Sequence, residues 1–325
     1  MPDAEIIPIG PESAQPTGAG PSKAARLVGN TGPQPTPAAS SSASRRPPES
    51  DTVVADSDTP GIETFDDSWI EFARRRLQGD YEVDDFGFDP ELTDRVLLNI
   101  FRPLYRAWFR VEVSGMENVP GDSAALVVAN HSGVIALDSI MTQLALHDEH
   151  PSGRHLRMLG ANLVFQTPFV GDLARKAGHT LACQPDAERL LGAGELVGVW
   201  PEGFKGIGKP FAQRYKLQRF GRGGFVSAAL RTGAPIIPTA IVGAEEIYPM
   251  VHNSKTIARI LGLPYFPFTP TFPWLGPLGM VPLPSKWLIH FGEPIPTDHF
   301  PEGSAEDPMV VFNLTDQVRE QIQQS

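Results

Sequence analysis

The sequence predicts an α/β fold, a mainly parallel sheet flanked by helices, over residues 111–325. Three observations predict it. Short apolar runs of strand length recur along the chain. Segments with helical spacing, several closed by a glycine, alternate with them. Polar residues interrupt the chain where two of the apolar runs end. Such alternation is the pattern of βαβ units, whose sites lie at the C-terminal ends of the strands.

Residues 1–60 are rich in Pro, Ser, Ala and Gly, as in TGPQPTPAASSSASRRPPES. That composition cannot bury enough apolar surface to offset its ordering entropy, so a disordered tail is expected. Residues 61–110 read as N-terminal helices. The first, DDSWIEFARRRLQG, is closed by Gly79. The second carries Val96, Leu97, Ile100, Phe101, Leu104 and Trp108 at helical spacing, with Pro103 inside it as an expected kink. Arg102, Arg106 and Arg110 flank its aromatic residues. A helix on the core and a helix on a membrane surface both satisfy this pattern.

From Val111 the strand candidates are RVEVSG, AALVVAN, HLRMLGAN, ELVGVWPEG, PIIPTAIVG and KWLIHFGEPI. Helices are expected over 137–147, over FVGDLARKAG, from 188 and over GFVSAALRTG. The net charge of −11 argues against a nucleic-acid partner. The single cysteine, Cys183, rules out an intrachain disulfide and fits a reducing compartment. No N-terminal signal pattern and no clean membrane span is evident. The longest uncharged stretch, 260–285, carries seven prolines.

Two clusters carry chemistry. In ALVVANHSGVIALDSIM, Asn130 and His131 follow an apolar strand, and Asp138 lies seven residues after the histidine. A strand-end histidine can take a proton from a hydroxyl if a carboxylate holds its other ring nitrogen. In a continuous helix the two would stand about 10 Å apart, so contact requires a turn through Ser132 and Gly133. The alternative is a helix-capping histidine and a solvated aspartate. In the second cluster, Glu202 stands at a strand end between Pro201 and Gly203. From Gly203 to Ala244 there are seven Lys or Arg and no acid. Such a local excess suits a phosphate cradle, although a solvated basic loop has the same composition. Gly203 to Lys209 mimics a phosphate loop but ends in Pro210, where a magnesium-binding hydroxyl belongs.

Taken in order, these blocks resemble the phospholipid/glycerol acyltransferases. Asn130-His131 with Asp138 is similar to the family's histidine–aspartate block. FQTPFVGDLARKAG resembles its second block. WPEGFKG resembles its Pro-Glu-Gly block, with Lys205 where an arginine is usual. APIIPTAIVG resembles the fourth block, and FGEPI also matches. The likeness spans roughly residues 90–300. It departs from the family in two ways. Six residues, instead of the usual four, separate histidine and aspartate. The stretch Thr180 to Gln184 also lacks the second block's phosphate-binding arginine.

The resemblance implies the glycerolipid acyltransferase fold and O-acyl transfer. A fatty acyl group would pass from acyl-CoA or acyl-carrier protein to a hydroxyl of a glycerolipid acceptor. His131 would be the base and Asp138 its partner. Asn130, Glu202 and Gly203 would belong to the substrate site, and Lys205, Lys209 and Arg214 would bind phosphate. No metal and no resident cofactor is implied, because a thioester is already activated. His147 to His150 with His155 read as a solvated loop. The expected location is cytoplasmic and peripheral to a membrane surface, with the aromatic, proline-broken 260–285 segment as interfacial contact or inner lid. A serine hydrolase would need a Gly-x-Ser-x-Gly elbow, which is absent. A non-catalytic lipid-binding protein is the competing class and would not need His131.

Overall fold

The computed structural model describes residues 67–221 and 223–325; the tail expected over 1–60 lies outside them. The first described element is the helix Asp67–Gln78. A helical run over 90–108 follows, capped by Asp89, whose carboxylate accepts from the Leu92 amide at 3.0 Å. Pro103 does not break this run. Turns of π-helix, Thr93–Leu97 and Leu104–Trp108, lie on either side of it. The wider i→i−5 pairing, as from the Phe109 amide to the Leu104 carbonyl at 2.7 Å, lets the chain pass an imino residue without ending the helix.

Among the described residues, seven strands form the main sheet. They are β1 (Glu112–Ser114), β2 (Ala125–Ala129), β3 (Leu156–Gly160), β4 (Thr180–Leu181), β5 (Leu196–Val199), β6 (Ile236–Val242) and, after the two-stranded ribbon β7 (His252–Asn253) and β8 (Pro267–Phe268), β9 (Leu288–Phe291). Their order is β1-β9-β6-β2-β5-β3-β4. All neighbours are parallel except β6 and β9, so β1 and β9 run against the other five. The sheet is mainly parallel, flanked by helices, as the alternation predicts. The two-residue β4 and the reversed edge are not visible in the periodicity.

β2 is central, and its alternate residues feed two cores. Ala125, Val127 and Ala129 pack with Met141, Leu144, Leu156 and Trp287 on one face. Leu126 and Val128 pack with Leu190, Val197, Val226 and Ile236 on the other. Burial on both faces explains why the strand is a continuous apolar run rather than an alternating one. Each fully buried Val or Leu contributes about 1.5–3 kcal/mol. The C-terminal helix Pro308–Gln324, which the sequence reading does not single out, closes the second core with Leu314, Val318 and Ile322. The helix expected from 188 begins earlier, at Gln184, with Pro185 in its first turn. His147, read as part of a solvated loop, instead sits in the last turn of the helix Leu137–Glu149.

Candidate active site

Because β2, β5 and β6 are parallel neighbours, their C-terminal ends open on one edge of the sheet. The chain leaving β2 supplies Asn130 and His131, that leaving β5 supplies Glu202, and that leaving β6 supplies Glu245.

His131 and Asp138 meet. Nδ1 of His131 lies 2.7 Å from Oδ2 of Asp138, whose side chain is fully buried. The intervening residues form the turn that the spacing requires. Gly133 occupies the left-handed region at φ +76°, and a Cβ there would stand 3.2 Å from the Ala244 carbonyl oxygen. Asp138 then sits in the first turn of the helix Leu137–Glu149. Its Oδ2 also accepts from the Ser132 amide at 2.9 Å, and Oδ1 accepts from the Ser139 amide at 2.9 Å. Three N–H donors thus converge on one carboxylate. His131 keeps 13 % of its side chain exposed, and no hydrogen bond is made to its Nε2 among the described residues. The arrangement provides an imidazole whose Nδ1 proton is held by a carboxylate and whose Nε2 can accept a proton.

Asn130 serves this geometry through the backbone. Its amide donates to the Ile241 carbonyl at 2.7 Å, and its oxygen accepts from the Ile241 amide at 2.7 Å. It therefore extends the β2–β6 pairing by one residue and fixes the direction in which His131 leaves the sheet. Glu202 is also turned inward. Oε1 accepts from the His131 amide at 2.9 Å, Oε2 accepts from the Gln218 amide at 2.5 Å, and Lys209 Nζ lies 3.4 Å from Oε2. Both charged side chains are almost fully buried, so Lys209 is committed to Glu202 and to the Lys216 carbonyl. Gly203 opens the short helical turn Phe204–Ile207. Gly206 in that turn is required for packing, since a Cβ would stand 2.6 Å from the His131 carbonyl oxygen.

Lys205 is exposed on the same turn. Arg214 is half-buried, with its guanidinium 4.2 Å from the Phe211 ring centroid. The fold thus brings Asn130, His131, Asp138, Glu202, Gly203 and Lys209 into one network. Lys205 and Arg214 lie at its margin.

Sequence reasoning missed Glu245, which is buried behind the pair. Its Oε1 accepts from the Ser132 hydroxyl at 2.8 Å. Burial is the main reason its carboxyl is held above the usual carboxylate range. An acid immediately after an apolar strand, in IVGAEE, is the signal that could have found it.

The loop that follows His131 borders an apolar cavity of about 230 Å³, lined among others by Val134, Ile135, Phe204, Tyr265 and Phe272. The Tyr265 hydroxyl donates to the Val134 carbonyl, tying the 260–285 segment over the loop that follows His131. The outer side of the same segment is exposed and apolar. Trp274 is 71 % exposed, Leu278 72 %, and Ile260 on the neighbouring helix Lys255–Leu261 77 %. No helix among the described residues is long and apolar enough to cross a membrane.

An uncharacterized Mycobacterium tuberculosis protein of strain H37Rv is 61 % identical over 254 residues, 78 % of this chain and 71 % of that protein. A human protein named "DGAT1/2-independent enzyme synthesizing storage lipids" is 25 % identical over 202 residues, 62 % of this chain and 57 % of that one. The structure of a Thermotoga maritima 1-acyl-sn-glycerophosphate acyltransferase, PlsC, aligns at 19 % identity with a TM-score of 0.47. That alignment covers 78 % of this chain and 89 % of that one. The Acyltransferase family profile matches residues 110–242, the span that holds His131, Asp138 and Glu202. The chain belongs to the Acyltransferase family. The match makes it an enzyme, an acyltransferase. The match begins just ahead of β1 and ends with β6, so the helices over 67–108 and everything after β6 lie outside it.

Proposed function

We propose that this acyltransferase moves a fatty acyl group from acyl-CoA or acyl-carrier protein to a hydroxyl of a glycerolipid acceptor at a membrane surface. One observation carries the proposal: His131 stands 2.7 Å from a buried carboxylate, with no hydrogen bond to Nε2 among the described residues, and the loop that follows it lines an apolar cavity through Val134 and Ile135. Nε2 takes the proton of the acceptor hydroxyl as its oxygen attacks the thioester carbonyl. The tetrahedral intermediate collapses, the C–S bond breaks, and the leaving thiolate takes the proton back from the imidazolium. Asp138 stabilises the imidazolium between these steps. Asn130, Glu202 and Gly203 hold the loops that shape the acceptor site, and Lys209 acts through Glu202. Lys205 and Arg214 are the cations available to donor or acceptor phosphates. No metal and no resident cofactor has a role in this scheme.

The acceptor is a membrane-held lyso- or diacylglycerol-type lipid rather than glycerol 3-phosphate. A small dianion needs fixed cations, and the nearby arginines are otherwise engaged. Arg189 pairs with Asp85 at 3.0 Å, Arg157 is buried against Asp84 and Glu195, and Arg175 stacks on Phe165. The exposed apolar residues of 260–285, with Lys255 and Arg259 exposed beside them, suit an interfacial contact. The name of the human relative points the same way. The test incubates purified protein with labelled acyl-CoA and a panel of glycerol 3-phosphate, lysophosphatidate and diacylglycerol in vesicles. Acylation of a lipid acceptor that is lost in His131→Ala supports the reading. Full activity in His131→Ala overturns it, and fastest acylation of glycerol 3-phosphate overturns the acceptor assignment.

A further inference from the structure

The run His147 to His150, with His155, reads from sequence as a solvated loop, because it has neither helical spacing nor an apolar setting. The fold brings a third ligand from the N-terminal helices. Oδ1 of Asp94, in the 90–108 run, lies 3.2 Å from Nε2 of His147 and 3.6 Å from Nε2 of His155. All three ligand atoms fall within 4.8 Å of one another. We propose that Asp94, His147 and His155 form a binding site for a divalent transition-metal ion of the zinc class, separate from the acyl-transfer centre.

Three features of the site support a metal. Ligands about 2.0–2.1 Å from a tetrahedral ion stand about 3.3–3.4 Å apart, and the two nitrogen–oxygen separations bracket that value. The far nitrogen of His147 is already held, since Nδ1 lies 2.9 Å from Oδ1 of Asp148. That carboxylate is clamped in turn by Arg102, with Nε and Nη2 each 2.8 Å from it. A carboxylate behind a ligating imidazole, itself held by a further hydrogen bond, fixes the tautomer and ring orientation that a metal requires. The ring of His155 is set edge-on against Phe88, with centroids 5.0 Å apart. Two imidazoles and one carboxylate select zinc, nickel or copper over magnesium and calcium, which prefer all-oxygen sites. Three protein ligands leave a fourth position for water.

The ion would join three elements: the 90–108 run, the last turn of the helix Leu137–Glu149, and the entry to β3. His147 is nine residues beyond Asp138 on that helix, about 14 Å along its axis. The site therefore clamps the far end of the element that presents the histidine's carboxylate. Its role is to hold the N-terminal helices on the sheet rather than to take part in chemistry.

The test uses tag-free, full-length protein stripped with a chelator and titrated with Zn²⁺ in competition with a chromophoric chelator. One equivalent is expected to bind tightly, with no Mg²⁺ bound. A hundredfold excess over Kd should raise Tm by roughly 5–10 °C. Asp94→Asn and His155→Gln should each weaken binding at least tenfold while keeping acyl-transfer activity, and the control His299→Gln should bind as wild type does. Co²⁺ added to the wild-type protein should give the visible absorption of a four- or five-coordinate imidazole site, a readout that does not depend on the variants folding. Zinc binding only at millimolar concentration overturns the proposal. So does undiminished binding in Asp94→Asn and His155→Gln; in either case the three residues form an ion-paired cluster only.

Discussion

Replacing Asp138 by asparagine tests the proton-transfer reading most directly. Every contact of the Asp138 carboxylate is with an N–H: His131 Nδ1 at 2.7 Å and Ser132 N at 2.9 Å on one oxygen, and Ser139 N at 2.9 Å on the other. An amide has one acceptor oxygen and one donor group, so at least one N–H must face a donor. If the amide NH₂ turns to His131, it donates to Nδ1 and moves the imidazole proton to Nε2, where the acceptor hydroxyl must deliver its own. If it turns to Ser139, the geometry survives but the negative charge is lost. With charge centres about 4 Å apart and an effective dielectric of about 20, the carboxylate stabilises a developing imidazolium by about 4 kcal/mol. That corresponds to a factor of about 10³ in rate. The expected result is a kcat lowered by roughly 10²–10⁴ with KM little changed and a native circular dichroism spectrum. The assay follows thiol release from acyl-CoA in the presence of the best lipid acceptor. A folded Asp138→Asn protein that keeps kcat within tenfold of wild type would refute the role given to this pair.

The other predictions concern the surroundings of the pair. Glu202→Ala should cost about 3–5 kcal/mol in denaturant unfolding, because it leaves buried Lys209 without its counter-charge and two amides without acceptors; a loss under about 1 kcal/mol would contradict the structural role of Glu202. Lys205→Ala should raise the apparent KM severalfold and leave kcat unchanged, with high salt imitating it in wild type; identical kinetics at low salt would move the phosphate contact elsewhere. Glu245 binds its proton more tightly folded than unfolded, so its ionisation removes stability as pH rises through the folded pKa. Thermal melts from pH 4 to 8 should therefore show Glu245→Gln gaining on wild type as pH rises, and a gain that grows toward acid would reverse the sign argued here. Trp274→Ser with Leu278→Ser should reduce flotation on anionic vesicles. It removes about 3 kcal/mol or more of interfacial burial, over a hundredfold in partitioning; equal flotation of both proteins would reject this segment as the contact.

The strands and helices around the site were legible because their signals are local. An apolar run such as ALVVA announces a strand buried on both faces, and a glycine after GFVSAALRT announces a helix end, whatever the rest of the chain does. His131 and Asp138 were legible as a pair of types at a spacing. Only the turn at Gly133 decided that they touch, since the same spacing in a helix would hold them apart. Glu202 and Lys209 looked from sequence like groups offered to a substrate. Packing turned them inward on each other and on the His131 amide, because a carboxylate at a buried strand end must satisfy the N–H groups around it. Glu245 lies 114 residues from His131 in the chain, and Asp94 lies 53 residues from His147. Neither neighbourhood is written in any local pattern. Composition and periodicity act within a turn or a strand, whereas which side chains meet across the sheet depends on strand order, direction and register. Those were settled only when the two faces of β2 were covered and β9 joined β6 in reverse.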